Sequence, residues 1–146
     1  MNSLVKLILV LAVTGYAGYH FWQQHEKHEA ILASADNYGF LPIPRGNGVN
    51  PNRVIILAAR NCPRADARRA RALARALADR HIPHAMWNQI HFNFSPADAP
   101  KIPALNTVMN GTVPIVLIHD RGEANPSLEQ VVAEYNQEND ADLTGD

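Results

Sequence analysis

Three short stretches of the chain are rich in apolar residues and predict β-strands. Residues 54–59 and 115–118 are apolar at every position, which is typical of central strands covered on both faces of a sheet. Residues 84–94 alternate less regularly between polar and apolar side chains, with a predicted bulge after Trp87. The pattern therefore predicts three strands, two of them central.

The stretch between the first two strands predicts a long amphipathic helix. Residues 63–80 are almost all good helix formers, and Pro63 fits the first turn, where its missing N–H costs nothing. At about 100° per residue, two faces of opposite character arise. The core-facing one carries Cys62, Asp66, Ala70, Leu73 and Leu77. The opposite one carries Arg64, Arg68, Arg71 and Arg75.

Two further helices are expected towards the C-terminus. Residues 104–109 predict a short one, and Asn125 with Pro126 supplies a cap and a first-turn proline for the last one. Between them, residues 119–122 predict a turn with little room for a fourth strand. The order strand, helix, strand, helix, strand, turn, helix predicts an α/β domain with helices packed over a mixed sheet.

The N-terminal segment has the composition of a membrane helix. Residues 7–19 are uncharged and largely apolar after Lys6, and flanking apolar residues lengthen the stretch towards the length of a membrane span. A cleaved signal peptide, with small residues around Gly15-Tyr16-Ala17, is the alternative. We favour an uncleaved signal anchor because aromatic residues mark an interface, and Lys6 would stay cytoplasmic and leave the C-terminal domain extracytoplasmic. Cleavage would give an exported soluble form.

These patterns divide the chain into four parts. We predict a membrane helix over residues 1–22 and a helical stalk with a Pro/Gly-rich linker over 23–52, because helix breakers crowd its second half. The folded domain is predicted over 53–136, and an acidic, disordered tail over 137–146.

The amino-acid composition excludes several kinds of functional site. The single cysteine, Cys62, excludes an internal disulfide and a CxxC metal site. The net charge of −1 conceals a basic middle and an acidic end. The arginine face of the long helix is not interleaved with aromatic residues, so we expect no nucleic acid as partner. His25, His28 and Glu29 read as a solvated stalk rather than a metal site, and no metal is expected.

Three features resemble the glutaredoxin branch of the thioredoxin-like superfamily. The strand at residues 54–59 leads to Cys62, a Cys62-Pro63 pair opens a helix, and Thr112-Val113-Pro114 enters the strand at 115–118. The resemblance covers about residues 53–136 and implies a thioredoxin-like, glutaredoxin-type fold. It also implies that Pro114 is cis, that Val113 docks a partner through its backbone, and that glutathione is a candidate cofactor.

The resemblance makes Cys62 a candidate nucleophile of the monothiol type. A thiol attacks as its thiolate, which a helix N-terminus and nearby cations stabilise, so Arg60 and Arg64 are candidate thiolate stabilisers. Asp66 would oppose them. Ala65 stands where dithiol enzymes carry the second cysteine.

Three functions stay open at this point. The first is thiol exchange through Cys62 at the membrane. The second is a non-catalytic thioredoxin-fold binding or assembly module. The third is a membrane-associated structural protein that recruits a partner through its arginine face or its acidic tail.

Overall fold

A computed structural model describes residues 3–58 and 64–143 of the chain. The chain divides into two compact units, Met1–Ala33 and Ser34–Asp146. The first is a single helix and the second is an α/β domain.

Helix α1, Ser3–Ala33, is 31 residues long. Its segment Val5–Ala33 is long and apolar enough to cross a membrane, by a test that a signal sequence also passes. Many of its large apolar side chains are exposed, including Leu11 and Val13. A helix satisfies its own backbone hydrogen bonds and can therefore carry such side chains into lipid.

The α/β domain is built on a sheet of five strands in the order β1-β5-β4-β2-β3. The strands are β1 Leu41–Pro42, β2 Val54–Leu57, β3 His84–Trp87, β4 Ile115–Ile118 and β5 Arg121–Ala124. The pair β2 and β3 is parallel, and the other neighbours are antiparallel. The sheet is therefore mixed, as the sequence predicts.

Three α-helices flank this sheet. They are α2 Ala65–Asp79, α3 Ile102–Met109 and α4 Leu128–Leu143, and a 3-10 helix, Pro96–Lys101, leads directly into α3. Helix α2 buries Ala67, Ala70, Leu73 and Leu77. The predicted helix is thus confirmed over most of its length, with its predicted apolar side facing the core.

The core lies between the two central strands and helices α2 and α4. Every residue of β2 and β4 is buried, which confirms both strands predicted from continuous apolar runs. Val54, Ile56, Val116 and Ile118 form one cluster with Leu77 of α2 and Val131 of α4. Burial of this kind supplies the main favourable free energy of folding.

The prediction of little room for a fourth strand after residue 118 is wrong. Only His119 and Asp120 separate β4 from β5, and the register pairs Ile118 with Arg121. His119 adopts a φ of 55°, which tightens the turn. Conversely, the strand predicted over residues 84–94 ends at Trp87, and the residues after it form an irregular segment.

The folded domain begins earlier than the sequence predicts. Residues 42–52 are dense in prolines, glycines and asparagines, yet β1 pairs Leu41 with Gly122, and the Ile43 N–H donates to the Asp120 carbonyl at 2.8 Å. Phe40 and Ile43 are buried. Helix breakers prevent a regular element here, but they do not prevent apolar side chains from packing. The compact unit accordingly starts at Ser34 rather than Arg53.

The C-terminal end also differs from the prediction. Helix α4 continues to Leu143, well into the predicted disordered tail. Within this extension, Glu138 lies 3.4 Å from Arg121 Nε, and the Asn139 side chain donates to the Tyr135 carbonyl. The contact of Glu138 with Arg121 attaches this part of α4 to the sheet, and the Asn139 bond lies within the helix.

Candidate functional site

A cleft of about 340 Å³ opens at one end of the central strands. It lies where β2 ends, α2 begins, the segment after β3 passes and the loop before β4 enters the sheet. The residues that line it are Leu57, Ala58, Arg64, Asp66, Ala67, Asn88, Gln89, Ile90, Met109, Val113 and Ile115.

The cleft meets both ends of the segment that carries the cysteine. Cys62 and Arg60 lie outside the described residues, so the roles predicted for them stay predictions. Ala58 and Arg64, the described residues on either side of that segment, both line the cleft. Of the predicted cysteine site, the structure therefore places the flanking residues Ala58 and Arg64 at a concave surface.

Arg64 stands at the mouth of the cleft. It immediately precedes α2 with an extended backbone (φ −61°, ψ 155°). Its carbonyl accepts the Arg68 N–H at 3.1 Å, in the first turn of the helix. Its side chain is exposed. A cationic residue thus precedes α2 at its N-terminus, where backbone N–H groups also favour negative charge.

The loop before β4 supplies the other wall. The Val113–Pro114 peptide bond is cis, as the family resemblance implies. Val113 is half-buried and lines the cleft, whereas Pro114 is buried and Thr112 is exposed. Of the six site residues named from sequence, the cleft lining among described residues includes Arg64 and Val113. Pro114 borders a neighbouring groove instead, beside Arg69.

Arg69 is a part of this site that the sequence prediction missed. Its Nη2 donates to Asp66 Oδ1 at 2.6 Å and to the Val113 carbonyl at 2.9 Å. It therefore ties α2 to the loop and pairs with the carboxylate expected to oppose a thiolate. The spacing of Asp66 and Arg69, one helical turn apart, could have indicated their ion pair from the sequence.

The carbonyl groups of Val113 and Pro114 each accept a hydrogen bond within the protein. Arg69 holds that of Val113, and the Asn125 N–H donates to that of Pro114 at 2.7 Å. Each carbonyl oxygen has two lone pairs, so each can still accept one hydrogen bond from a partner that reaches this loop.

The segment after β3 brings amide groups to the cleft. Asn88 and Gln89 line it beside Ile90. The segment is fixed from outside, because the Asn47 N–H donates to the His91 carbonyl at 2.8 Å. At Gly46 an added Cβ would lie 2.1 Å from Ile90 Cδ1, so the two chain segments pack closely.

A second polar cluster lies away from the cleft, around Arg121 of β5. Glu134 of α4 is completely buried, and among the described residues its carboxylate oxygens and Asp36 Oδ2 have no hydrogen-bond donor. Arg121 approaches Asp36 and Glu134 only to 3.5 and 3.6 Å. Two facing carboxyl groups without donors are satisfied when they share a proton.

The pKa values agree with a shared proton. Burial, reinforced by the hydrogen bond and the charge of Asp36, raises the pKa of Glu134 to about 8. Burial next to Asp36 likewise raises the pKa of Glu123 to about 7. The other oxygen of Asp36 accepts the N–H groups of Tyr38 and Phe40. A proton held between Asp36 and Glu134 would join the turn at residues 36–40 to α4.

Three potential metal ligands also meet nearby, but cations already occupy them. Atoms of His119, Asp120 and Glu138 lie within 4.8 Å of one another. Lys101 Nζ lies 3.1 Å from Asp120, Arg121 pairs with Glu138, and Arg45 contacts His119 Nε2. A metal ion would have to displace these positive groups, so the geometry is that of an ion-pair network.

Comparisons with known proteins identify no relative of this chain. No protein-family model matches the chain. Neither a curated protein nor a solved structure matches it. The mixed α/β fold, the N-terminal apolar helix and the cleft stand on the residues and geometry of this chain alone.

Proposed function

We propose that this chain is a membrane-anchored, thioredoxin-like protein that exchanges disulfides through Cys62. The arrangement of the domain supports the fold assignment. Leaving β1 aside, its elements follow the order β2, α2, β3, α3, β4, β5, α4, with strand order β3-β2-β4-β5. Only β2 and β3 are parallel. This is the core arrangement expected of a thioredoxin-like domain.

The observation that carries the proposal is the composition of the cleft. Its lining joins Ala58 and Arg64, which flank residues 59–63 with the cysteine, to Val113 of the loop before β4. Val113 is about fifty residues away from Ala58 and Arg64 in sequence, and the three belong to the two motifs from which the resemblance was inferred. Ligand pockets characteristically occupy such concave meetings of several elements.

The electrostatics favour a reactive thiol at this position. Arg64 is at the N-terminus of α2, and the two effects together stabilise a thiolate. Asp66, the opposing anion, is paired with Arg69 at 2.6 Å. The pairing weakens the main objection to a lowered pKa of Cys62.

The proposed reaction is single-thiol exchange. The Cys62 thiolate attacks one sulfur of a partner disulfide, the old S–S bond breaks, and the other sulfur leaves as a thiolate. With Ala65 in place of a second cysteine, an external thiol must attack the mixed disulfide to release the partner. Glutathione is one candidate for that thiol.

The pH dependence of alkylation tests this function. Iodoacetamide should modify Cys62 in the full-length protein with a midpoint below about 7.5, as expected of an activated thiol. Because the chain has one cysteine, Cys62→Ser provides a background without protein thiol. A midpoint at or above about 8.5, or no modification of the folded protein, would contradict exchange activity.

A non-catalytic docking module is the second candidate. Ala65, at the position where a dithiol enzyme carries its second cysteine, favours it, because docking needs no second thiol. In that case Cys62→Ser would retain partner binding in full, whereas a substitution in the cleft would abolish it.

We further propose that α1 anchors the protein with its C-terminal domain extracytoplasmic. Lys6, ahead of the apolar stretch, supports this orientation. A thiol reagent that cannot cross membranes should label Cys62 in intact cells, and a cysteine introduced at exposed Phe94 would control for access. An intact mass that lacks the first residues would instead indicate cleavage.

A further inference from the structure

We infer that Asp36 and Glu134 form a proton-dependent latch, which closes the turn at residues 36–40 onto α4 and releases it when the proton between the two carboxyl groups is lost. The turn lies between α1 and β1 in the chain. The latch is independent of the chemistry proposed for Cys62.

The turn is built around Asp36. Its Oδ1 accepts the backbone N–H groups of Tyr38 at 2.8 Å and of Phe40 at 3.0 Å. Its backbone carbonyl accepts the Gly39 N–H at 3.2 Å, and its own N–H donates to the Phe40 carbonyl at 3.0 Å. The position of the Asp36 side chain therefore fixes the backbone of this turn.

The other carboxyl oxygen of Asp36 is turned towards α4. The side chain of Asp36 is 8% exposed and that of Glu134 is 0% exposed. Among the described residues, neither Asp36 Oδ2 nor either carboxyl oxygen of Glu134 has a hydrogen-bond donor. A proton carried by Glu134 and donated to Asp36 supplies the missing hydrogen bond. Gln130, one turn earlier in α4, adds a contact through its side-chain N–H to the Tyr38 carbonyl at 2.8 Å.

A single guanidinium contacts three carboxyl groups here. Arg121 of β5 lies 3.5 Å from Asp36, 3.6 Å from Glu134 and 3.4 Å from Glu138. Glu123 of the same strand also repels Asp36 when it is ionised, and β1 consists of uncharged residues. Burial, reinforced by Asp36, raises the pKa of Glu134 to about 8, so its proton is lost in mildly alkaline solution. The carboxylates then repel one another around one cation.

Asp36 is the partner that can leave. Glu134 lies inside α4 and is completely buried, whereas Asp36 lies on a turn next to exposed Asn37. Movement of Asp36 into water separates the charges and frees the turn. Phe40 belongs to the buried core cluster, which holds the chain from this residue onward. Opening is therefore confined to residues 34–39, the stretch that joins α1 to Phe40.

Amide hydrogen exchange of the full-length protein in detergent, at pH 6 and pH 9, tests the latch. The N–H groups of Tyr38 and Phe40 report on the turn. The Ile43 N–H, which donates to the Asp120 carbonyl at 2.8 Å, reports on the sheet. Protection factors, measured with millisecond mixing, compare each N–H group with an unstructured chain at the same pH. They therefore remove the ordinary acceleration of exchange by alkali.

We expect the protection of the Tyr38 and Phe40 N–H groups to fall about tenfold or more from pH 6 to pH 9. Opening releases the proton of Glu134 and so becomes easier as the pH rises. At each pH their protection should also stay at least about tenfold below that of the Ile43 N–H, because the turn opens without the core.

Two variants should remove most of the fall with pH. In Glu134→Gln, a side-chain amide donates to Asp36 at every pH. In Asp36→Asn, Oδ1 can still accept the two N–H groups of the turn, while the amide donates to ionised Glu134. Glu129→Gln is the matched control, because Glu129 is exposed on the same helix, and it should keep the full fall. Glu123→Gln should keep a fall of about tenfold, which separates its own titration from that of the pair.

Three results would overturn the latch. The first is wild-type protection in the turn that is the same at pH 6 and pH 9. The second is a fall as steep in both Glu134→Gln and Asp36→Asn as in the wild type. The third is equal protection of the Tyr38, Phe40 and Ile43 N–H groups, since the turn would then open only when the whole domain unfolds.

Discussion

At the scale of single residues, some polar side chains of this protein meet partners that are distant in sequence. Asp36 and Glu134 face each other in the interior although nearly the whole domain separates them along the chain. Arg69 similarly joins Asp66 to Val113. Sequence reasoning identified Arg64, Asp66 and Val113 individually, but hydrogen bonds between distant segments follow from tertiary structure, which periodicity does not encode.

The buried carboxyl pair predicts a loss of stability at alkaline pH. Burial, reinforced by Asp36, raises the pKa of Glu134 in the folded protein to about 8 from an ordinary pKa of 4.5. Unfolding therefore releases a proton between these values, and the free energy of unfolding falls as pH rises through this window. Glu134→Gln should flatten this decline and make the protein more stable than wild type at pH 9, by on the order of a few kcal/mol.

Urea unfolding of the full chain at pH 5 and pH 9 would measure this effect. Glu129→Gln is the control, since Glu129 lies on the same helix with an exposed side chain. A Glu134→Gln protein that loses stability with pH as steeply as wild type would show that no proton is held between Asp36 and Glu134.

Arg69 predicts a change in the reactivity of Cys62 under the proposed function. Arg69→Met leaves Asp66 unpaired at the start of α2, and an unpaired anion disfavours the thiolate. The alkylation rate of Cys62 at pH 7 should fall about threefold to tenfold, with the midpoint displaced to higher pH. Arg75→Met serves as control, because Arg75 donates to the Arg71 carbonyl of its own helix. Equal rates in both variants would mean that Arg69 has no electrostatic influence on the thiol.

At the scale of elements, continuous apolar runs were the dependable signal. They identified β2 and β4, whose residues are all buried, and helical periodicity identified α2. Strand β5 escaped prediction because its residues, Arg-Gly-Glu-Ala, show no apolar pattern. It forms through backbone pairing with β4 and through Gly122, where a Cβ would lie 2.9 Å from Ile43 Cδ1.

The close approach of Gly111, just after α3, to Ala124 of β5 predicts that a second substitution can compensate for the loss of stability caused by the first. At Gly111 an added Cβ would lie 2.3 Å from the Cβ of Ala124, and neither atom can rotate away. Gly111→Ala should lower the free energy of unfolding by about 1–3 kcal/mol. The double substitution Gly111→Ala with Ala124→Gly should recover much of that loss, which urea unfolding would measure. If the double variant is less stable than Gly111→Ala alone, the Cβ atoms at positions 111 and 124 do not clash.

At the scale of the whole molecule, the folded domain begins earlier in the chain than the sequence predicts. Prolines and glycines between residues 42 and 52 resemble a linker in sequence. The structure uses the segment as part of the domain, since Phe40, Ile43 and Val49 are buried. Breaker residues indicate where regular elements stop, but the distribution of apolar side chains decides where a core stops.

Two truncations test this boundary. The chain from Ser34 onward should fold, because it is one compact unit. The chain from Arg53 onward lacks β1 and the buried Phe40 and Ile43, and loss of a single large core side chain costs about 2–5 kcal/mol. We expect it to be largely unfolded by circular dichroism and by its lack of a cooperative thermal transition. Cooperative folding of the shorter fragment would restore Arg53 as the start of the domain.

Strand β1 has a consequence for how this protein behaves among its own copies. It closes one edge of the sheet with only two residues, one of them Pro42. Proline has no backbone N–H to donate, and short edge strands offer an approaching chain little to pair with. The segment that resembles a linker therefore also protects the sheet from growing by edge-to-edge aggregation.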